Sequence, residues 1–207
     1  MLSLVLWIAG CAAGPPVEVG EFREADLVEL TSLDPSIRLD IRYATNQNFL
    51  GRPVYREARA FLQRPAAEAL QRVHRAIAKD GYGLCVLDAY RPWRVTQVFW
   101  DETPADKRAF VANPRTGSKH NRGCAVDVTL FELSTGLLVE MPSEFDEFTE
   151  RANPGYAGGS EESRRRRDYL RSAMEQEGFS VYQHEWWHFD FKEWTKYRVL
   201  DIDFSNI

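Results

Sequence analysis

The stretch from Ser118 to Asp127, SKHNRGCAVD, constrains this chain more than any other part of its 207 residues. It holds one imidazole, His120, and one carboxylate, Asp127, and the later stretch Glu185-Trp-Trp-His188 holds another of each. Two histidines and one acidic residue, with a fourth position left open, recur as the ligands of catalytic zinc sites, whereas closed structural sites more often use cysteines. A fold that brings these two stretches together would create a metal site with a second carboxylate beside it.

The first stretch must turn sharply before it becomes a strand. Residues 124–130 alternate in a way that predicts a strand, with Asp127 on the face opposite the apolar side chains. His120 lies seven positions before Asp127, and on one straight strand this odd separation would place the two on opposite faces. We therefore predict a turn between them, which Gly123 permits. The expected core face consists of Val126, Val128 and Leu130.

The second stretch poses the same problem at shorter range. Residues 179–182 predict a strand that leads into Glu185 and His188. These two side chains are three positions apart, so a flat strand would also place them on opposite faces. A bulge or a helical turn would bring them to one side, and we predict such an irregularity near Trp186.

Length and charge limit the class of protein. The chain is long enough for one domain with a real core, which we assign to residues 17–207. The formal net charge of −5, from 26 basic and 31 acidic residues, argues against a nucleic-acid partner. Strands and helices alternate without regular βαβ repeats. This pattern predicts an α+β fold with a mainly antiparallel central sheet and flanking helices.

The amino-terminal residues resemble a bacterial lipoprotein signal, with small residues before a cysteine, Cys11, that would carry the lipid. The apolar run is too short to span a bilayer, which takes about 20 residues. It lacks the basic residue that precedes the apolar run of a signal peptide, so the alternatives are a true start upstream or a chance resemblance in a cytoplasmic protein. We expect a lipoprotein of the cell envelope or periplasm, with residues 1–16 as signal and tether and Cys11 as its one membrane anchor.

Apolar spacing outlines the remaining elements. It predicts strands over 26–33, 37–43 and 84–89, and helices over 64–79, 92–100 and 160–178. Arg91 follows the strand over 84–89, and strand ends commonly present functional groups. His74 has no second ligand one helical turn away, so we expect a surface or boundary position. We expect Cys85 and Cys124 to be buried thiols rather than a disulfide.

Five segments together resemble the zinc-dependent D-alanyl-D-alanine dipeptidases of vancomycin resistance and cell-wall dipeptide turnover. The resemblance runs from about Asp40 to Trp194 and keeps the family's order. Its segments are DIRYAT at 40–45 followed by Asn48, Phe49 and Gly51, DAYRP at 88–92, the 118–127 stretch, Phe145-Asp146, and EWWH at 185–188. Each segment alone would be weak, but the ordered set is specific.

The resemblance implies a role for each matching residue. It assigns one Zn²⁺ ion to His120, Asp127 and His188, general-base catalysis to Glu185 and oxyanion stabilisation to Arg91. It assigns contacts with the dipeptide D-Ala-D-Ala to Tyr43, Ser118 and Asp146. The implied fold is the small α+β zinc peptidase shared with D,D-carboxypeptidases and the hedgehog signalling domain.

Two other functions are compatible with this ligand set. A D,D-carboxypeptidase would trim peptidoglycan stem peptides, which have no free ammonium for Asp146 to bind. A non-catalytic zinc-binding domain of the envelope would have no use for Glu185 beside its metal ligand. The two carboxylates therefore favour a dipeptidase, in which Asp146 pairs with the substrate's ammonium and Glu185 moves the proton.

Overall fold

The structure is a computed structural model that describes residues 14–207. Cys11 and the signal-like segment before it lie outside the described residues. Among residues 14–207, no helix is both long enough and apolar enough to cross a bilayer.

Residues 14–207 form four α-helices and seven strands, joined by loops and short 3₁₀ turns. The helices are α1 (Leu30–Leu33), α2 (Arg64–Ala78), α3 (Trp93–Glu102) and α4 (Glu161–Gln176). The strands are β1 (Leu27–Glu29), β2 (Arg38–Leu39), β3 (Phe61–Gln63), β4 (Tyr82–Asp88), β5 (Ala125–Glu132), β6 (Phe179–Tyr182) and β7 (Glu185–Phe191).

The central sheet has five strands in the order β2-β4-β5-β7-β6. Only the β2–β4 pair is parallel, and the other three pairs are antiparallel. Strands β1 and β3 form a separate antiparallel pair. The predicted α+β fold with a mainly antiparallel sheet is confirmed.

The two long helices cover one face of the central sheet. Helix α2 packs on β4 and on α4, and α4 packs on β5, β6 and β7. Pro65 lies in the first turn of α2, where its missing N–H costs nothing. Helix α4 begins after Ser160, whose hydroxyl accepts a hydrogen bond from the Ser163 N–H at 3.0 Å. The fully buried core stripe of α2 is Leu70, Val73 and Ile77.

The strand register aligns three polar residues across the middle of the sheet. Asp127 on β5 lies opposite Asp88 on β4 and opposite His188 on β7. Residues directly opposite each other on neighbouring strands project to the same face. Val126, Val128 and Leu130 belong to the hydrophobic core, as predicted. The face of Asp127 is therefore left for a functional site.

Strand β7 contains the predicted irregularity. Val181 on β6 pairs with Phe189, but the next residue, Tyr182, pairs with Glu185, so Trp186 to His188 are extra on β7. This shift brings Glu185 Oε2 to 3.8 Å from His188 Nδ1. The prediction of an irregularity near Trp186 is confirmed.

Two of the predicted strands are shorter than expected. The segment 26–33 continues from β1 into one helical turn, α1, and 37–43 ends as a strand at Leu39. Tyr43 lies instead in the 3₁₀ turn Arg42–Ala44. The Asn48 amide donates hydrogen bonds to the carbonyls of Arg42, Thr45 and Arg52, so the turn satisfies backbone groups that a strand would leave to a partner.

The predicted exposure of His74 was wrong, whereas the prediction for the cysteines is confirmed. His74 is 4% exposed and accepts a hydrogen bond from the Leu84 N–H at Nδ1, over 3.1 Å. Its Nε2 lies 3.0 Å from the Ser36 hydroxyl. Cys85 and Cys124 are free and buried, and burial raises the pKa of each thiol to about 12.

Candidate active site

A tight turn places His120 at the end of the central sheet. Residues His120–Arg122 form a 3₁₀ turn that ends at Gly123, whose φ of 65° is left-handed. The Ser118 hydroxyl accepts a hydrogen bond from the His120 N–H at 3.2 Å and supports the turn from its other end. The turn that the spacing predicted between His120 and Asp127 is confirmed.

Three ligand-type atoms converge where this turn meets β5 and β7. His120 Nε2 lies 3.4 Å from Asp127 Oδ1 and 3.1 Å from His188 Nδ1, and His188 Nδ1 lies 3.1 Å from Asp127 Oδ1. Ligand atoms around a tetrahedral zinc ion are about 3.3 Å apart, given bond lengths of about 2.0–2.1 Å. In the described part of the chain, this is the one cluster of three or more His, Cys, Asp or Glu side chains that could share a metal ion.

Each imidazole is oriented by a second acceptor. His120 Nδ1 lies 2.7 Å from the Ala89 carbonyl, and His188 Nε2 lies 2.9 Å from Asp190 Oδ1. Both partners can only accept, so these nitrogens carry the protons. His120 Nε2 and His188 Nδ1 are then left with their lone pairs facing Asp127.

The cluster is arranged for a cation. Asp127 Oδ1 is buried and makes no hydrogen bond of acceptable geometry, despite its short distances to the two imidazoles. Burial opposes its ionisation, but positive charge on the neighbouring imidazoles outweighs burial and holds the pKa of Asp127 well below its usual range, so this carboxylate stays ionised beside a cation. Two lone pairs and a carboxylate oxygen at contact distance repel unless a positive charge lies among them. The donor set therefore fits a divalent metal ion.

Glu185 stands beside this cluster as a largely buried carboxyl. Burial raises its pKa to about 7, and Asp127 adds to the rise while His188 and Arg91 oppose it. A carboxyl group with a pKa near neutral can both accept and return a proton at physiological pH.

Arg91 is held rigidly at the cavity wall. Asp88 Oδ2 accepts hydrogen bonds from its Nε at 3.0 Å and from its Nη2 at 2.7 Å. The guanidinium carbon lies 4.6 Å from the centre of the Phe99 ring and 5.3 Å from that of Tyr43. Nη1 is therefore the donor that remains available to a ligand.

Asp146 supplies a second unusual carboxyl. It is the one non-glycine residue among 14–207 with a positive φ, 58°. Its Oδ1 accepts a hydrogen bond from the Tyr43 hydroxyl at 3.0 Å, and its Oδ2 is buried without a partner. Burial, and then the charges of Asp127 and Glu185, raise the pKa of Asp146 well above its usual range. A cation bound at Oδ2 would satisfy this carboxyl.

All eight residues predicted for the site line one cavity of about 230 Å³. This is below the roughly 300–1,000 Å³ typical of pockets for drug-sized ligands. Aromatic rings form much of the remaining wall: Phe49, Phe99, Phe110, Phe148 and Trp187. The predicted residues are Tyr43, Arg91, Ser118, His120, Asp127, Asp146, Glu185 and His188.

Sequence reasoning missed three polar residues of the cavity wall. Lys119, Tyr182 and Asp190 also line the cavity. The signal for Asp190 was available, because a residue two positions after His188 on a strand projects to the same face. His184 is exposed, contacts Gln183 and Tyr182, and does not line the cavity.

A hydrolase that works through one metal ion needs a ligand set with room for a water, a proton-transferring group beside it and a pocket for the substrate. The central sheet assembles all of these at one end, so the chain falls in the class of metal-dependent hydrolases. It belongs to the D-ala-D-ala dipeptidase family, Peptidase M15, whose model matches residues 23–205. The family predicted from the five segments is confirmed.

Curated relatives from three bacteria match across most of their length. The chain is 31% identical over 180 residues to the D-alanyl-D-alanine dipeptidase of Escherichia coli strain K12, covering 87% of this chain and 92% of that protein. It is 37% identical over 175 residues to the enzyme of the same name from Enterococcus faecium, covering 76% and 87%. The Streptomyces coelicolor enzyme is 33% identical over 186 residues, covering 81% and 92%.

Proposed function

We propose that the protein is a zinc-dependent D,D-dipeptidase that hydrolyses D-Ala-D-Ala. The observation that carries the proposal is the placement of Asp146. Its unpartnered, buried Oδ2 lies in the same small cavity as the His120–Asp127–His188 cluster. A dipeptide whose scissile bond lies at the cluster can place its own ammonium against that oxygen.

One zinc ion per chain would be held by His120 Nε2, Asp127 Oδ1 and His188 Nδ1. When bound, zinc supplies a Lewis acid and lowers the pKa of a water molecule to about 7. The distances among the three ligand atoms and the fixed imidazole tautomers support this assignment.

Glu185 and Arg91 would carry the proton and charge transfers. Glu185 accepts a proton from the attacking water and returns it to the leaving amine, a role that suits a carboxyl with a pKa of about 7. Arg91 donates from Nη1 to the carbonyl oxygen of the scissile bond as that oxygen becomes negative. Asp88 already holds the guanidinium, so little reorganisation is needed as the charge develops.

Substrate selection would rest on Asp146, Tyr43 and Ser118. Asp146 pairs with the free ammonium, and the Tyr43 hydroxyl holds the carboxylate in place. An acylated or longer amino end brings no ammonium to Asp146, so the buried Oδ2 would stay without a partner, which costs free energy. The small volume of the cavity also favours a dipeptide over a stem peptide.

The direct test is hydrolysis of D-Ala-D-Ala by the purified protein, beside N-acetyl-D-Ala-D-Ala, with and without a chelator. We expect cleavage of the free dipeptide alone, loss of activity with chelator and recovery on adding Zn²⁺. Cleavage of the acetylated compound would instead identify a D,D-carboxypeptidase. No cleavage of either compound by zinc-loaded protein would contradict the proposal and favour the non-catalytic zinc-binding domain.

Two variants on β7 and its turn sharpen the test. Glu185→Gln removes the proton acceptor but not a proposed ligand, so we expect a loss of at least about 100-fold in kcat with zinc still bound. His184→Ala changes the exposed neighbour and is the matched control, expected to keep both zinc and most activity.

A further inference from the structure

We propose that Asp190, held by Lys119, is a positioning residue that locks His188 in its metal-binding tautomer and orientation, and that this pair sets the metal affinity. The inference rests on the proposed function, in which His188 is a metal ligand. It deepens that proposal by assigning a role to two cavity residues outside the predicted set.

The contacts form a chain that ends at the metal cluster. Lys119 Nζ donates to Asp190 Oδ2 at 2.5 Å, and Asp190 Oδ1 accepts from His188 Nε2 at 2.9 Å. The two oxygens of Asp190 are thus divided between one cation and one imidazole. His188 Nδ1, on the other side of the ring, faces Asp127 and His120.

The pair also joins the two segments that carry the imidazoles. Lys119 immediately precedes His120 in its turn, and Asp190 follows His188 by two positions on β7. Asp190 is held in the strand by its pairing with Ala125 and Ser180. The ion pair therefore restrains the separation of the two imidazoles, which is 3.1 Å between their facing nitrogens.

Burial gives this restraint more weight than a surface ion pair has. The Asp190 side chain is 10% exposed and that of Lys119 34%. Exposed ion pairs contribute little because water and salt screen them, and a buried carboxylate with both oxygens engaged is screened less. Lys119 is also held over the Trp194 ring, with Nζ 5.0 Å from its centre.

A carboxylate behind a ligating imidazole sets which nitrogen is free to bind metal, and its loss typically costs 10–100-fold in metal affinity or activity. Without Asp190, the His188 ring could rotate or adopt the other tautomer, with its proton on Nδ1. Either change removes one of three ligands from a fraction of the molecules. Metal affinity should therefore fall, while the fold and the other ligands remain.

The test measures the Zn²⁺ dissociation constant of the purified full chain by competition with a chromophoric chelator. We expect Asp190→Ala to weaken zinc binding by about 10–100-fold, and Asp190→Glu to recover part of the loss. Lys119→Met should weaken binding by at least threefold, because Asp190 keeps its contact with His188 but loses its anchor. Lys196→Met is the matched control, since it breaks an exposed Lys–Glu pair outside the cavity, and should change nothing.

A spectroscopic measurement separates positioning from general stability. In zinc-loaded protein with ¹⁵N-labelled histidine, we expect His188 to carry a slowly exchanging proton on Nε2. That proton should exchange faster in Asp190→Ala and in Lys119→Met, whereas the signals of His120 should change little. A purely structural role for the pair would leave the His188 signal unchanged in the folded protein.

The outcomes distinguish this inference from the function on which it rests. If the wild type binds zinc but Asp190→Ala binds it within twofold as tightly, the positioning role is wrong and the metal centre stands. If Asp190→Ala does not fold, unchanged zinc affinity in Lys119→Met overturns the role equally. A wild type without zinc binding would overturn the metal centre and, with it, this inference.

Discussion

Asp146 is the residue on which the proposed specificity of the site depends. Its left-handed backbone, buried carboxyl and lack of a partner at Oδ2 are each unfavourable in isolation. Such features persist where the surrounding structure enforces them, and they concentrate at binding and catalytic sites. Here the Tyr43 hydroxyl donates a hydrogen bond to Asp146 Oδ1, and Asp146 lines the cavity.

We expect Asp146→Asn to reduce kcat/KM for D-Ala-D-Ala by roughly 30-fold to several thousandfold, since losing a buried charged contact costs about 2–5 kcal/mol. Asparagine also tolerates a left-handed backbone, so the change removes the charge with little added strain. Steady-state kinetics on the zinc-loaded variant would measure the loss. Activity within a few-fold of the wild type would show that the substrate's ammonium does not bind at Asp146.

At the scale of the elements, the site depends on two short departures from regular structure. The 3₁₀ turn ending at Gly123 carries His120 to the face of Asp127, and the extra residues on β7 bring Glu185 beside His188. The first departure needs a glycine both for its backbone angle and for space. A Cβ atom at Gly123 would lie 2.6 Å from Leu27 Cδ2 and 3.2 Å from the Gln63 backbone nitrogen.

Replacing Gly123 should therefore destabilise the fold by more than the cost of backbone strain alone. Gly136 is the matched control, because it has a similar φ of 70° but open space where its Cβ would lie. We expect Gly136→Ala to lower the free energy of unfolding by about 1–3 kcal/mol. Gly123→Ala should lower it by about 1–3 kcal/mol more, because the added methyl overpacks the turn.

Urea unfolding at constant zinc would measure both variants. Equal losses for Gly123→Ala and Gly136→Ala would mean that the turn relaxes to accept the side chain, contrary to the close contacts at Leu27 and Gln63. A selective loss of zinc affinity in Gly123→Ala would indicate that His120 moves with the turn.

At the scale of the whole molecule, buried polar contacts tie the helical layer to the sheet. Neutral His74 on α2 accepts the Leu84 N–H of β4 at Nδ1, while its Nε2 contacts Ser36. The Ser36 hydroxyl donates a hydrogen bond to Asp34 Oδ1 at 2.5 Å, so its oxygen can accept a hydrogen bond from the N–H at Nε2 of His74. Burial lowers the pKa of His74, and the nearby Asp34 only partly offsets this effect.

This arrangement predicts a loss of stability in acid. The folded pKa of His74 lies below its unfolded value of about 6.5, so the unfolded chain binds more protons between these two pH values. Neutral His74 makes its full contribution to the free energy of unfolding above pH ~6.5, and this contribution declines as the pH falls toward the folded pKa. Protonation at Nδ1 would set two donors, His74 and the Leu84 N–H, against each other.

We expect His74→Gln to be less stable than the wild type at pH 7, and its free energy of unfolding to fall less steeply between pH 7 and pH 5. The slope from one group is at most about 1.4 kcal/mol per pH unit. His184→Ala, which removes an exposed histidine, should keep the wild-type slope. Parallel curves for His74→Gln and the wild type would contradict the assignment.

Much of the fold and of the site follows from local pattern. A proline in the first turn and an apolar stripe predicted the helix over 64–79, and an N-cap predicted the start of the helix over 160–178. The ends of both observed helices lie within two residues of the predicted ends. The segments 26–33 and 37–43 were harder, because alternating apolar residues also fit single helical turns when a side chain such as that of Asn48 binds the backbone. The signal and lipid anchor expected at residues 1–16 stay a prediction.

The chemistry available to this protein can be read from local sequence, because the two imidazoles, the carboxylates and the required turn at Gly123 are visible as residue types and odd spacings. How those groups are used depends on contacts between distant segments. Asp127 lies opposite Asp88 and His188 because of the register between strands that are distant in sequence. No local pattern specifies the contacts that set three further features. Asp190 leaves Nδ1 of His188, rather than Nε2, facing the cluster, Asp88 holds Arg91, and the Leu84 N–H binds the buried His74.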